Sequence, residues 1–307
     1  MILITGSTGK IGHHLVDELI KRGEDVRVLV RNKQKIIDKM KILPENLDIV
    51  EGDVTDIDSL KDITKDVDTI FHLAAVVDYR ASKEKMHSVN VLGTKNMLEV
   101  SKGKRFIFMS STSVLGSNSP EYADETAPYD PTDYYGKTKM KAEKIALEND
   151  AIVVRATDVY GPGIHEGYFQ IIKNIQKGKQ FLIGNGKNRL QYLNVKDLIN
   201  CLMFASEKGR PGEVYLIAGP ESLSQKELFE LIAKYLNVEP PKKSMPKFLV
   251  LLLAKTIMKN RIQPAYVEKL AANRTFSLKK IKDHLDFEPK ITYEQGIKEV
   301  VEEYLTQ

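Results

Sequence analysis

Cysteine is almost missing from this chain. Cys201 is the one thiol in 307 residues, which excludes an intrachain disulfide framework and fits a reducing cytoplasm. It stands in the apolar run Leu198–Ala205, where it reads as a buried structural thiol and not as a nucleophile. The six histidines show no His-x-x-x-His pairing and no Cys-x-x-Cys occurs, so no metal site is expected. Long blocks of like charge are also missing. With 46 basic and 42 acidic residues and a net charge of +4, nucleic acid is not expected as a partner. The most apolar segment, Phe248–Ala254, is far too short for a transmembrane span, and no signal peptide precedes the first apolar run. A cytoplasmic location is the resulting expectation. No internal repeat or low-complexity segment is visible.

What is present is organised around the first dozen residues. Met1-Ile-Leu-Ile-Thr5 reads as a buried strand, Gly6, Gly9 and Gly12 recur at every third position, and His13–Ile20 follows with helical periodicity. Strand, glycine turn and helix together place a nucleotide pyrophosphate over a helix N-terminus. A Cβ in that turn would hold the backbone away from the phosphates, and the free amides of the first helical turn attract their charge. Gly6, Thr8, Gly9, Lys10, Ile11 and Gly12 are therefore candidate cofactor residues.

Downstream, strands are expected at Val26–Val30, Leu47–Val50, Val67–Leu73, Phe106–Met109 and Ala151–Arg155. Helices are expected from Ser59 to Ile63, Val89 to Val100 and Lys137 to Glu148. The alternation predicts an α/β fold: a doubly wound parallel-sheet Rossmann domain, with its strand-end loops gathered on one ligand-binding edge. Beyond Gly161-Pro162-Gly163 the rhythm breaks, and prolines at 240, 241, 246, 264 and 289 cut the last third into short pieces. Residues 1–160, with about 190–218, are read as the dinucleotide-binding domain. Residues 161–189 and 219–307 are read as a smaller, interleaved substrate lobe.

Tyr135 and Lys139 lie four apart at the start of an expected helix, on one face. An ammonium beside a phenol favours phenolate and brings its pKa down from about 10, giving a base for an alcohol proton. Tyr134 is the rival, but four residues on from it stands the uncharged Thr138, so the register selects Tyr135. Ser111 ends the preceding strand on the same edge, where its hydroxyl can hold a substrate oxygen.

Thr5-Gly6-x-x-Gly9-x-x-Gly12 together with Tyr135-x-x-x-Lys139 resembles the extended short-chain dehydrogenase/reductase family, also described as the NAD-dependent epimerase/dehydratase family. The resemblance covers nearly the whole chain. It implies that Tyr135 is the acid/base, that Lys139 binds nicotinamide ribose and lowers the tyrosine pKa, and that Ser111 orients the reacting oxygen. Gly52-Asp53-Val54 looks like the family's adenine-contacting turn and His72-Leu73-Ala74-Ala75 like its segment alongside the adenine. Asn90-x-x-Gly93-Thr94 looks like its central helix, and Ser110-Ser111 suits one branch of the family. The resemblance makes Asp53, Val54, Leu73, Ala74, Ala75, Asn90 and Ser110 further candidate cofactor residues, and Val77, Asp78, Thr112, Asp158 and Arg189 candidate substrate residues. It also suggests a homodimer.

After the second strand stands Arg31, with Lys33 and Lys35 and no nearby acid. An acid there would bind a ribose hydroxyl, whereas a guanidinium suits a 2′-phosphate, so NADP is expected before NAD. Nucleotide-sugar dehydratases of this family carry Asp-Glu after the catalytic hydroxyl residue; Thr112-Ser113 stands here and disfavours that chemistry. The related epimerases carry asparagine where Asp158 stands, whose charge would repel a diphosphate, and an arginine one residue beyond Arg189. The nearest branch is that of the dihydroflavonol 4-reductase-like and 3β-hydroxysteroid dehydrogenase-like proteins. The expected activity is interconversion of a secondary alcohol and a ketone of a small-molecule substrate. A nucleotide-sugar epimerase with retained NAD is the alternative, and a non-catalytic dinucleotide sensor the third reading.

Overall fold

A computed structural model describes residues 1–40, 42–78, 80–164, 167–256 and 264–307. Short β-branched and aliphatic runs form the strands β1 (Ile2–Thr5), β2 (Val26–Val30), β3 (Leu47–Glu51), β4 (Thr69–His72), β5 (Arg105–Ser111) and β6 (Ile152–Ala156). With a further strand, Val214–Ile217, they make one seven-stranded sheet in the order Val214–Ile217, β6, β5, β4, β1, β2, β3. Every neighbour pair is parallel. The chain winds outward from β1 to β3, then returns to β4 on the other side of β1. That reversal places the ends of β1 and β4 side by side, at the point where open α/β sheets bind ligands.

Between the strands lie α1 (Lys10–Lys21), α2 (Gln34–Met40), α3 (Lys83–His87), α4 (Gly93–Val100) and α5 (Tyr134–Glu148). Successive strand residues face opposite sides, so Ile4 and Leu3 enter different cores. On Ile4's side Leu15, Val16 and Leu19 of α1 pack with Val28, Phe71 and Val154. On Leu3's side Met97 and Leu98 of α4 and Ala142 and Ala146 of α5 pack with Ile70, Phe108 and Val153. The later helices are α6 (Tyr168–Gln176), α7 (Val195–Lys208), α8 (Gln225–Leu236), α9 (Lys247–Lys255), α10 (Pro264–Leu270), α11 (Lys279–Leu285) and α12 (Tyr293–Leu305). Ile172, Phe229, Ile232, Ile297 and Val300 from α6, α8 and α12 close a separate apolar cluster. Cys201 is buried on α7, where burial pushes its thiol far up. In α9, Val250 and Ala254 are buried while Phe248 and Leu252 face out. No described helix is long and apolar enough to cross a membrane.

Three helices differ from expectation. In place of a helix from Ser59 to Ile63 there is a single 3-10 turn, Ile57–Leu60, capped by Asp56 and followed by positive φ at Asp62 and Asp66. The helix expected from Val89 to Val100 is an α-helix from Gly93 onward, and its first residues lie in a π turn, Ser88–Leu92, that joins α3 to α4. Helix α5 starts three residues before Lys137 because the Asp133 carboxylate accepts from Gly136 N at 2.6 Å, a cap that apolar periodicity does not reveal. Helix α2, between β2 and β3, is not anticipated at all.

Candidate active site

The turn after β1 is a cradle that side chains would fill. Gly6 has φ 75°, and a Cβ on it would lie 2.7 Å from Ala74 N. A Cβ on Gly12 would fall 2.2 Å from the Gly6 carbonyl, which accepts from Gly9 N at 2.9 Å. Helix α1 therefore starts hard against the end of β1, with Gly9 as its N-cap, no side chain capping its amides and no acid in its first turn. In the same turn Ser7 buries a hydroxyl with no partner among the described residues. An uncapped, acid-free helix N-terminus at a side-chain-free turn fits the pyrophosphate of a dinucleotide. Thr8, Lys10 and Ile11 flank it, half-buried.

Along the same edge, Leu73 N donates to Thr5 O at 3.2 Å and Ala74 N to Thr5 Oγ1 at 3.3 Å. These bonds keep Leu73, Ala74 and Ala75 beside the glycine turn. The Asp53 carboxylate accepts from Thr55 N and Thr55 Oγ1, both at 2.9 Å, and Val54 packs against Gly93. Arg31 follows β2, exposed, and its side chain makes no hydrogen bond among the described residues.

Ser111, Tyr135 and Lys139 converge where β5 meets the start of α5. The Ser111 hydroxyl caps the 3-10 turn after β5 by accepting from Ser113 N at 3.1 Å, and it is hydrogen-bonded to the Tyr135 phenol. Tyr135 and Lys139 are both buried. Lys139 Nζ donates to Met109 O at 2.6 Å and lies 4.2 Å from the Phe108 ring centre. Behind them His72 is held by Thr5 Oγ1 at 2.7 Å and Thr94 Oγ1 at 3.1 Å. Burial, with the Lys139 charge next, pushes its imidazole down to about 3, so it is neutral.

One expectation is reversed here. Lys139 should lower the phenol's pKa, yet burial drives Tyr135 up, Asp133 and Asp158 add to the rise, and only the Ser111 hydrogen bond opposes it. Lys139 is itself depressed to about 7 by burial, with Glu143 opposing. The protein on its own thus holds a protonated phenol next to a lysine poised near neutrality.

Adjacent strand residues face opposite sides, and the Ser110 hydroxyl is buried against Glu143, leaving only its backbone toward the cofactor side. Glu143 also pairs with Arg155 at 2.6 Å and accepts from Tyr129 at 2.8 Å. The residue pattern does not announce this buried network; its one trace in the sequence is that Glu143 stands four residues after Lys139.

The candidate substrate residues divide. Thr112 is buried beside Ser111 and its Oγ1 accepts from Arg274 Nη2 at 2.8 Å. Asp158 Oδ1 accepts from Lys269 Nζ at 2.5 Å. Arg274 and Lys269 are functional candidates that sequence reasoning does not reach, since isolated basic residues carry no spacing signal. Arg189 is turned away: its guanidinium is bonded to Ser222 and lies 3.7 Å from Glu227. Val77 and Asp78 lie exposed on the loop after β4, with Asp78 bound to Arg80 at 3.1 Å.

Comparison with known proteins agrees with this geometry. Residues 2–218 match the model of the NAD dependent epimerase/dehydratase family. The chain is 28% identical to a 3-beta-hydroxysteroid dehydrogenase of Mycolicibacterium neoaurum, over 99% of this chain and 91% of the relative. A dTDP-glucose 4,6-dehydratase of Bacillus anthracis, solved in complex with NAD, superposes with a TM-score of 0.78 at 25% identity, covering 99% of this chain and 96% of that one. A UDP-glucose 4-epimerase of Thermotoga maritima, solved with UDP-glucose, gives a TM-score of 0.79 at 25% identity, over 99% and 98% of the two chains.

Proposed function

The chain belongs to the NAD dependent epimerase/dehydratase family, and from that premise we propose that it is an NADP-preferring oxidoreductase interconverting a secondary alcohol and a ketone. The observation that carries this reading is that Ser111 at the end of β5 meets the buried Tyr135 and Lys139 at the start of α5, on the same sheet edge as the glycine cradle. A nicotinamide dinucleotide held by Gly6, Gly9 and Gly12 supplies or accepts the hydride when bound. In reduction Tyr135, kept protonated by burial, gives its proton to the carbonyl oxygen; in oxidation it takes that proton back. Ser111 donates to the same oxygen and fixes its position. Lys139 binds ribose hydroxyls and, when protonated, offsets the charge that develops on Tyr135. Arg31, exposed beyond β2 and followed by Lys33 and Lys35, pairs with a 2′-phosphate; Glu51 on the neighbouring strand is engaged by Lys33 N at 3.0 Å. The lobe formed by 161–189 and 219–307 receives the substrate.

Similarity to a 3-beta-hydroxysteroid dehydrogenase across nearly the full length supports oxidoreduction. One observation favours a second reading, nucleotide-sugar epimerisation. Asp158 is paired with Lys269, so its charge no longer stands alone against a diphosphate. Tyr135→Phe tests the shared chemistry: turnover falls by about 10²- to 10⁴-fold while NADP affinity is kept, and unimpaired turnover removes the assignment.

A further inference from the structure

Helix α9 presents large apolar side chains to solvent. Val250 and Ala254, four residues apart, are buried in a cluster with Ile183 and Val267. Phe248 and Leu252, also four apart, stand two residues from that pair and so on the opposite face of the helix. They are 66% and 55% exposed, and Leu249 beside them is 38% exposed. Lys255, three residues after Leu252, is exposed on the same outward face. Among the described residues no other helix or strand leaves three large apolar side chains open in this way. Scattered exposed apolar residues are ordinary, whereas a contiguous group marks a contact surface.

The charge around this helix is of one sign. Between Glu239 and Glu268 the sequence holds Lys242, Lys243, Lys247, Lys255, Lys259 and Arg261 and no acid. Even with both bordering acids counted, the segment carries +4, which is the net charge of the whole chain, so everything outside it is balanced. Lys242 is paired with Glu239 at 2.9 Å, whereas Lys243, Lys247 and Lys255 are exposed and form no ion pair among the described residues. A second copy of the chain is a poor occupant of this face. A two-fold contact sets the same surface against itself, with lysine facing lysine and no acid to answer it. An anionic bilayer meets both features, because apolar acyl chains and negative headgroups adjoin at one boundary.

We propose that α9 docks on an anionic phospholipid bilayer, with Phe248, Leu249 and Leu252 entering at the edge of the acyl chains and Lys243, Lys247 and Lys255 meeting headgroup phosphates. At nine residues the helix lies along the surface and does not span it. Docking there involves none of the residues placed around Tyr135 and does not depend on the reaction they perform.

The chain has no tryptophan, so a single introduced one reports its own surroundings. Full-length Phe248→Trp is mixed with vesicles of phosphatidylcholine containing about 30% phosphatidylglycerol, and separately with vesicles of phosphatidylcholine alone. Its emission is expected to move to shorter wavelength with the anionic vesicles. Leu305→Trp, at an exposed apolar position on α12, keeps its emission unchanged. In sedimentation the wild-type chain binds the anionic vesicles at least about tenfold more tightly than the neutral ones, and the difference shrinks as salt rises. Phe248→Ser with Leu252→Ser weakens that binding at least about tenfold. Lys243→Gln with Lys247→Gln and Lys255→Gln removes the preference for anionic lipid. Both sets replace exposed side chains, and unchanged urea midpoints and NADPH affinity show that each variant is folded. The proposal is overturned if the wild type does not bind anionic vesicles, if both tryptophans shift alike, or if either multiple variant binds as the wild type does. Self-association that is lost in Phe248→Ser with Leu252→Ser and occurs without vesicle binding assigns the face to a second copy and overturns it as well. Turnover plays no part in these readouts, so failure here leaves the oxidoreductase reading standing, and loss of that reading leaves the docking surface standing.

Discussion

Asn90 Nδ2 donates to Thr138 Oγ1 at 2.9 Å, joining two side chains 48 residues apart. The same carboxamide accepts from Val76 N at 2.7 Å and donates to Val76 O at 3.1 Å. Thr138 Oγ1 passes its own proton to Tyr135 O at 2.7 Å. The loop after β4 is thereby tied to the helical turn that carries Tyr135. Asn90 lies in the π turn, which widens the helix at a point where a regular α-turn would aim the side chain elsewhere. Asn90→Leu leaves two backbone groups of Val76 unpaired. It should lower stability by about 2–4 kcal/mol in urea unfolding and reduce kcat more than NADP affinity. Equal stability of mutant and wild type would contradict this account.

Ser111→Ala removes the one contact that opposes the rise in the Tyr135 pKa. The expected result is a fall in kcat of about 10²-fold, in line with loss of one preorganised donor, with little change in cofactor binding. Steady-state kinetics with the cofactor saturating read this directly.

Gly12→Ala sets a methyl group 2.2 Å from the Gly6 carbonyl, a backbone atom that cannot move aside without opening the cradle. A loss of about 1–3 kcal/mol of stability is expected from the overpacking, together with loss of NADPH binding followed by nucleotide fluorescence. Retained binding would show that α1 does not need this close approach.

Lys139 gives a pH signature. Its folded pKa is about 7 against 10.5 for an ordinary lysine. Between those values the unfolded chain binds a proton that the folded chain does not, so this site's contribution grows more favourable to folding as pH rises from about 7 to about 10.5. Its cost is largest below that window. Compared with Lys139→Met, the wild type should gain stability across the window by a few kcal/mol, rising by at most about 1.4 kcal/mol for each pH unit crossed. Paired denaturation curves at the two ends of the window measure the difference; a flat difference would mean that Lys139 keeps its proton when buried.

How much of this is legible in the sequence follows from where each signal lives. Strands such as Val26–Val30 and the glycine spacing are local patterns, and the structure reproduces them within a residue or two. The Tyr135–Lys139 register is legible because an i,i+4 pair needs only one helix. Their pKa values are not, because burial by the surrounding chain decides them and outweighs the pairing seen in sequence. The turn at Ile57–Leu60 looks helical in sequence because its apolar residues fit a helix, while Asp62 and Asp66 adopt positive φ. Arg274 and Lys269 lie more than 100 residues beyond Thr112 and Asp158 in the chain. Only the folded lobe brings them together.

The proposed preference for NADP rests on Arg31, which stands exposed at the end of β2. Arg31→Asp should exchange attraction for repulsion toward a 2′-phosphate and move the NADP-to-NAD affinity ratio toward NAD by at least about tenfold. An unchanged ratio in equilibrium titrations with both dinucleotides would place phosphate recognition elsewhere.

The central claim is net hydride transfer between substrate and a dissociable cofactor, with Tyr135 moving the proton. The direct measurement follows the absorbance of reduced nicotinamide and the organic product together while the full chain turns over a panel of secondary alcohols with NADP⁺. The account predicts one equivalent of NADPH for each ketone formed, lost in Tyr135→Phe. Product formation with no net change in nicotinamide absorbance would contradict it and establish the epimerase reading instead.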